Sequence, residues 1–206
     1  GENEVHVELK QKSGYLPISS SFTANGFLEP WYAAPSGGFY AFDDRSADVS
    51  SVVMMQPDGT TKVLHSRANR QPEQFLASRS GEVWGVRYSG IYPEYYYPDA
   101  KHPIALMHQR LRKTFPTSDV LFTSYTDDNR FITAFVYADQ NPGMCYLIDL
   151  DKGGLVELLE AQPWLKDVPL REMQPVEIKV RDDQKVIAML TLPPSTEEKP
   201  PAVVLV

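Results

Sequence analysis

The sequence predicts a mainly β fold built from up-and-down antiparallel units, and three observations carry that prediction. Seventeen prolines and twelve glycines cut the 206 residues into short runs, most of them rich in Val, Ile, Phe and Tyr, which are strand formers bounded by turn formers. The stretch 120–160 reads as four strands joined by tight turns. Two earlier stretches echo that unit. Four strands in about 40 residues match one blade of a β-propeller, and the repetition favours a propeller over a β-sandwich of comparable length, which the pattern alone leaves open.

In the clearest unit, 120–125 is followed by the turn Asp127-Asp128-Asn129, 131–138 by Asn141-Pro142-Gly143, and 145–150 by Asp151-Lys152-Gly153-Gly154, with 155–159 as the last strand. The first echo comprises 39–42, 52–56 and 62–66, with Pro57-Asp58-Gly59 turning the last pair. The second comprises 74–78, 83–88 and 94–97, with Ser80-Gly81 as its first turn. One segment departs from this texture. In 102–114, Ile104, Met107, His108 and Leu111 recur at the spacing of one helical face, and Pro103 suits a first turn, where its missing N–H costs nothing. That face is read as core packing. Arg110, Arg112 and Lys113 form the wet side of the same helix.

Beyond residue 160, a short helical or irregular connection around Pro163-Trp164-Leu165 precedes an alternating hairpin, 176–180 and 186–192, turned at Arg181-Asp182-Asp183. A polar, proline-rich loop over 193–201 leads to Ala202-Val203-Val204-Leu205-Val206. That run has the composition of a strand buried on both faces in a parallel sheet, so its sheet is expected to lie beyond the sequence.

The composition narrows the function classes. A net charge of −7 argues against a nucleic-acid partner, which calls for a basic stripe. No apolar run reaches the roughly 18–20 residues of a membrane helix, so no membrane partner is expected. The single cysteine, Cys145, excludes an internal disulfide framework and a cysteine-based zinc cluster, and reads as an inert structural thiol. The chain opens on Gly1 rather than Met, as a processed or trimmed start would, and no basic-then-apolar leader precedes Val5. Cytoplasm and periplasm both remain open.

The search for chemistry yields no catalytic, cofactor-binding or metal-binding residue. There is no G-x-S-x-G elbow, H-E-x-x-H pair or phosphate-binding loop. Of the four histidines (His6, His65, His102, His108), the last two are six apart and face different sides of a helix, which disfavours a shared metal. The acidic pairs Asp43-Asp44, Asp127-Asp128 and Asp182-Asp183 sit at turns, where Asp is a backbone-capping residue rather than half of an acid–base dyad. Tyr92, Tyr95, Tyr96 and Tyr97, framed by Pro93 and Pro98, are a candidate peptide-contact surface. The plainer reading packs two of them inward and leaves two outside.

A family resemblance enters over 81–206. Gly85-Val86-Arg87-Tyr88, Ser124-Tyr125-Thr126-Asp127-Asp128-Asn129-Arg130, Asp139-Gln140-Asn141-Pro142-Gly143, Gln162-Pro163-Trp164-Leu165, Arg181-Asp182, Leu190-Thr191-Leu192-Pro193 and Val203-Val204-Leu205-Val206 together resemble the serine peptidases of the prolyl oligopeptidase family, in particular its bacterial acylaminoacyl- and dipeptidyl-peptidase-like branch. The family usually has Arg-Asp-Gly where this chain has Arg181-Asp182-Asp183.

In that family a β-propeller caps an α/β-hydrolase domain, and a Ser–Asp–His triad cleaves peptides between the two. The resemblance therefore implies an incomplete β-propeller of about three to four blades over 1–160. It further implies an interdomain connection over 161–175 and the first strands of an α/β-hydrolase domain over 176–206. Every triad residue would lie downstream, so the fragment itself would be inactive, gating short peptides toward the rest of its own catalytic domain without a cofactor. Pro163, Trp164, Leu165, Arg181 and Asp182 are the expected interdomain hinge. An opened propeller would expose strand edges and favour a homodimer. A stand-alone propeller-like module that binds a protein or peptide is the alternative.

Overall fold

The computed structural model of the chain describes residues 5–11, 14–20, 26–35, 37–58, 60–90, 92–181, 185–193 and 203–204. Strands β1 (Val5–Gln11) and β2 (Gly14–Ser20) form an antiparallel hairpin. A four-stranded sheet follows, in the order β3 (Leu28–Ala33), β4 (Phe39–Asp43), β5 (Ser51–Met55), β6 (Thr61–His65). Strands β7 (Pro72–Ala77), β8 (Val83–Tyr88) and β9 (Glu94–Tyr96) make a three-stranded sheet. Helix α1 (Pro103–Thr114) leads to a second four-stranded sheet, β10 (Asp119–Tyr125), β11 (Phe131–Ala138), β12 (Asn141–Asp149), β13 (Gly154–Glu160). A single 3-10 turn, Pro163–Leu165, precedes the hairpin of β14 (Met173–Lys179) and β15 (Lys185–Thr191). All these ladders are antiparallel and join strands adjacent in sequence, and none of the sheets closes on itself. No helix among the described residues is long and apolar enough to cross a membrane.

Packing follows the alternation of the strands. In β11, Ile132, Ala134 and Val136 are buried while their neighbours are partly exposed, the period-2 signature of a strand with one covered face. These three pack with Val120, Tyr146 and Ile148 beneath the α1 residues Ile104, Ala105, Met107 and Leu111. The helix is capped from its own sequence: His102 Nδ1 accepts from Ile104 N at 3.2 Å, Pro103 opens the first turn, and Arg112 and Lys113 lie in the last, where positive charge is favoured. Strand β8 ties the sheets together. Its Trp84 belongs to the cluster under α1, whereas Val83, Val86 and Tyr88 pack with Phe75, Phe42 and Val52. Phe42 and Phe75 stack with centroids 4.3 Å apart.

Several expectations are corrected. Asn141-Pro142-Gly143 is not the turn between β11 and β12. That turn is Asp139-Gln140, with Ala138 opposite Asn141, and Pro142 and Gly143 lie inside β12 beside a register shift. Gly143 has φ +115°, and a Cβ there would overlap the Phe135 ring, so glycine makes the close approach of these strands possible. Strand β3 was not foreseen, because Pro30 and a bulge at Trp31 interrupt its alternation; proline is tolerated on an edge strand, where its missing N–H breaks no ladder bond. The β1–β2 hairpin was not foreseen either. Val203 and Val204 are 88% and 80% exposed, which does not contradict a strand whose sheet was expected beyond the sequence. The rest of the expected terminal strand, Gly59, the Asp182-Asp183 pair and the loop over 194–201 lie outside the described residues.

Candidate functional site

Two of the acidic pairs do turn chemistry, as their positions predicted. Asp43 accepts from Arg45 N at 3.1 Å as well as from its Nε and Nη2, both at 2.8 Å, and Asp128 accepts from Arg130 N at 3.0 Å and Thr126 Oγ1 at 2.6 Å. Asn129 between them adopts φ +56°, a left-handed conformation that Asn tolerates.

The polar chemistry of the chain gathers instead where β8, β9, α1, β10 and β11 meet. Asp119, the first residue of β10, accepts from Arg87 Nη2 at 3.2 Å, Tyr137 Oη at 3.2 Å, its neighbour Val120 N at 3.0 Å, and the Tyr95 hydroxyl. Arg87 also pairs with Glu73, and its Nε is buried with no hydrogen-bond partner among the described residues. Burial opposes the charge on Arg87, but Asp119, Tyr95 and Glu73 outweigh it and hold the guanidinium above its ordinary value. The Tyr95 phenol is pushed up by burial and then by the Asp119 carboxylate it donates to. Burial also raises Tyr97 and Tyr137. Neutral phenols on a carboxylate already paired with a guanidinium suit recognition and rigidity.

Behind this cluster His108 is 1% exposed. Its Nε2–H donates to the Val120 carbonyl at 2.9 Å, so the bare Nδ1 accepts from Tyr97 Oη at 2.8 Å. Burial lowers its pKa to about 4; Arg112 acts in the same direction, while the Val120 carbonyl and Asp119 oppose it. With the folded value below the unfolded one of about 6.5, the unfolded chain binds more protons as pH falls, so stability present above pH 6.5 is lost on the way to pH 4. Between pH 7 and pH 5 the loss from this group is expected to be about 2 kcal/mol. Urea titrations of the wild type and His108→Gln check it: a pH 7 to pH 5 difference as large in the variant would remove His108 as the cause.

The four tyrosines of the candidate contact surface do not act as one patch. Tyr96 stacks on His65 at 4.1 Å and donates to the Leu64 carbonyl at 3.3 Å. Tyr95 and Tyr97 are engaged with Asp119 and His108, and Tyr92 alone is strongly exposed, at 61%. Tyr92 opens onto a cleft of about 310 Å³, with Arg87, Asp119, Tyr137, Pro93 and Arg112 in its wall. Met173 and Met189 line it too, brought there from the β14–β15 hairpin. Asp139 fixes the approach of that hairpin by accepting from Met173 N at 2.6 Å. A second cavity of about 300 Å³, between Gln140, Leu170, Arg171, Gln174 and Leu192, contains no aromatic side chain.

Of the expected hinge residues, Pro163, Trp164 and Leu165 form the 3-10 turn, with Trp164 72% exposed. Arg181 is exposed just past β14, and Asp182 lies outside the described residues. Cys145 is half-buried in β12. Among the described residues, no three His, Cys, Asp or Glu side chains converge in a way that could hold a metal ion. Sequence reasoning missed Arg87, Asp119, Met173 and Met189 as cleft residues. The one available signal was Arg87 itself, a charge inside the otherwise apolar run Val83–Tyr88.

No family model matches the chain. Dipeptidyl aminopeptidase BIII of Pseudoxanthomonas mexicana is 34% identical to it over 89 residues, which is 43% of this chain and 13% of that protein.

Proposed function

We propose that this chain is the accessory β region of a serine peptidase of the prolyl oligopeptidase family, a partial β-propeller followed by the opening strands of an α/β-hydrolase domain. Its role is to restrict access, admitting short peptides to a catalytic domain and turning folded proteins away. The observation that carries this reading is the similarity to a dipeptidyl aminopeptidase. The three sheets from β3 to β13, each an up-and-down ladder in sequence order, are in keeping with successive blades. The 3-10 turn at Pro163–Leu165 and the β14–β15 hairpin stand where the passage between the two domains is proposed.

The test is to sequence the source reading frame past Val206. A His-Gly-Gly segment followed by G-x-S-x-G is the expected result. A stop codon at Val206 would end the peptidase reading and leave a stand-alone peptide-binding module, which the cleft beside Tyr92 favours.

A second copy of the chain is the proposed partner for the open strand edges. Strand β15 is the best candidate among them, since Lys185–Thr191 carries no proline and no charge after its first residue. Paired antiparallel with itself about Ala188, it would set Val186 against Leu190 and Ile187 against Met189, without like charges in register. Light scattering over a concentration series is expected to show dimers, lost in Ala188→Lys; a monomer at every concentration would refute the pairing.

A further inference from the structure

We propose that the cleft beside Tyr92 receives the carboxylate of a short peptide, with Arg112 as its counter-charge and Met173 and Met189 as the apolar wall beside it. The inference rests on the peptide-handling reading above and specifies which end of a peptide the cleft would hold.

The charge inventory of the cleft points to Arg112. Asp119 is fully engaged, by Arg87, two tyrosine hydroxyls and a backbone amide. Arg87 is neutralised twice over, by Asp119 and Glu73. Asp139 accepts from the amides of Gln140 at 2.8 Å and Met173 at 2.6 Å. Arg112 differs from all of these, because the partners seen for it are neutral. Its Nη2 donates to the Pro93 carbonyl at 3.3 Å, and its guanidinium lies over the Tyr95 ring, 4.5 Å from the centroid. No carboxylate among the described ion pairs belongs to it. With neutral partners only, the Pro93 carbonyl, the Tyr95 ring and the Tyr97 hydroxyl, its positive charge stays available to a carboxylate through a charge-assisted hydrogen bond.

The remaining walls suit the residue next to such a carboxylate. Met173 and Met189 are 40% and 43% exposed, and thioethers adapt to side chains of different shape. Tyr92 offers an amphipathic ring at 61% exposure, a residue type enriched where peptides are held. A volume of about 310 Å³ lies at the small end of ligand sites, enough for the last one or two residues of a chain.

Calorimetric titration of the 206-residue chain with N-acetyl-alanyl-leucine and with its C-terminal amide tests the assignment. The free acid is expected to bind roughly tenfold more tightly than the amide, the scale of one charge-assisted hydrogen-bonded contact. That preference should vanish in Arg112→Gln and survive in Arg112→Lys. Equal binding of acid and amide by the wild type would overturn the carboxylate assignment while leaving peptide binding in place. A preference that persists in Arg112→Gln would overturn the role of Arg112. Binding of neither compound would sink the peptide reading of the cleft and the proposal with it. If Arg112→Gln fails to fold, the wild-type comparison together with Arg112→Lys still decides.

Discussion

Replacing Trp84 with alanine is expected to lower the unfolding free energy by about 3–5 kcal/mol, the range for removing a buried large aromatic side chain. Trp84 is 1% exposed and sits in the cluster shared by α1 and the sheet of β10–β13. Its ring lies 5.2 Å from that of His108 and 5.4 Å from that of Phe122, centroid to centroid. Its Nε1–H donates to Tyr125 Oη at 3.1 Å, and burial already pushes the Tyr125 phenol well above its ordinary value. Alanine would therefore open a cavity between two sheets and remove a partner from a half-buried hydroxyl. Urea unfolding followed by far-UV circular dichroism measures the effect. A loss below about 1 kcal/mol would mean that the sheets do not depend on this contact.

Asp119→Asn is expected to cost about 3 kcal/mol, because it breaks a buried ion pair from one side. The Asp119 side chain is 8% exposed and that of Arg87 24%, so little water can replace the lost charge. The amide would offer one acceptor oxygen to four donors, Arg87, Tyr95, Tyr137 and the Val120 amide, and would add an N–H group of its own among them. Arg87 keeps Glu73, whose side chain is 41% exposed, which places the cost at the lower end for buried pairs. Arg87→Met in the Asp119→Asn background should recover part of the loss, since a partly buried guanidinium left with Glu73 alone is then gone. Purely additive single and double variants would show that the two residues do not act as a pair.

The two variants probe features that were unequally legible in the sequence. Strand β11 and helix α1 stand out from local pattern alone: the first alternates through eight residues, and the second places Ile104, Met107, His108 and Leu111 on one face behind a proline. Strand β3 is hidden because Pro30 and the bulge at Trp31 disrupt that pattern while the structure accommodates both. The Asn-Pro-Gly tripeptide looks like a turn by composition. Its glycine is needed instead for contact with Phe135 across the ladder, a long-range reason that turn statistics do not contain. The cleft was the least legible part. Tyr92 was visible in its cluster, but Arg87, Arg112, Asp119 and Met173 come from β8, α1, β10 and β14, and no local spacing announces that they meet.

The sheet connectivity also bears on how the chain folds. Among the described residues each ladder joins strands that follow one another in sequence, so none of these pairings waits for a distant segment to arrive. The entropy of closing large loops is met only afterwards, when β8 docks against α1 and β10, and when Phe75 meets Phe42. Pairing between sequence neighbours lowers the loop-closure cost of each ladder. During synthesis, each sheet can form as soon as its last strand leaves the ribosome. The contacts between sheets can form only after that, and Trp84 stands at one of them.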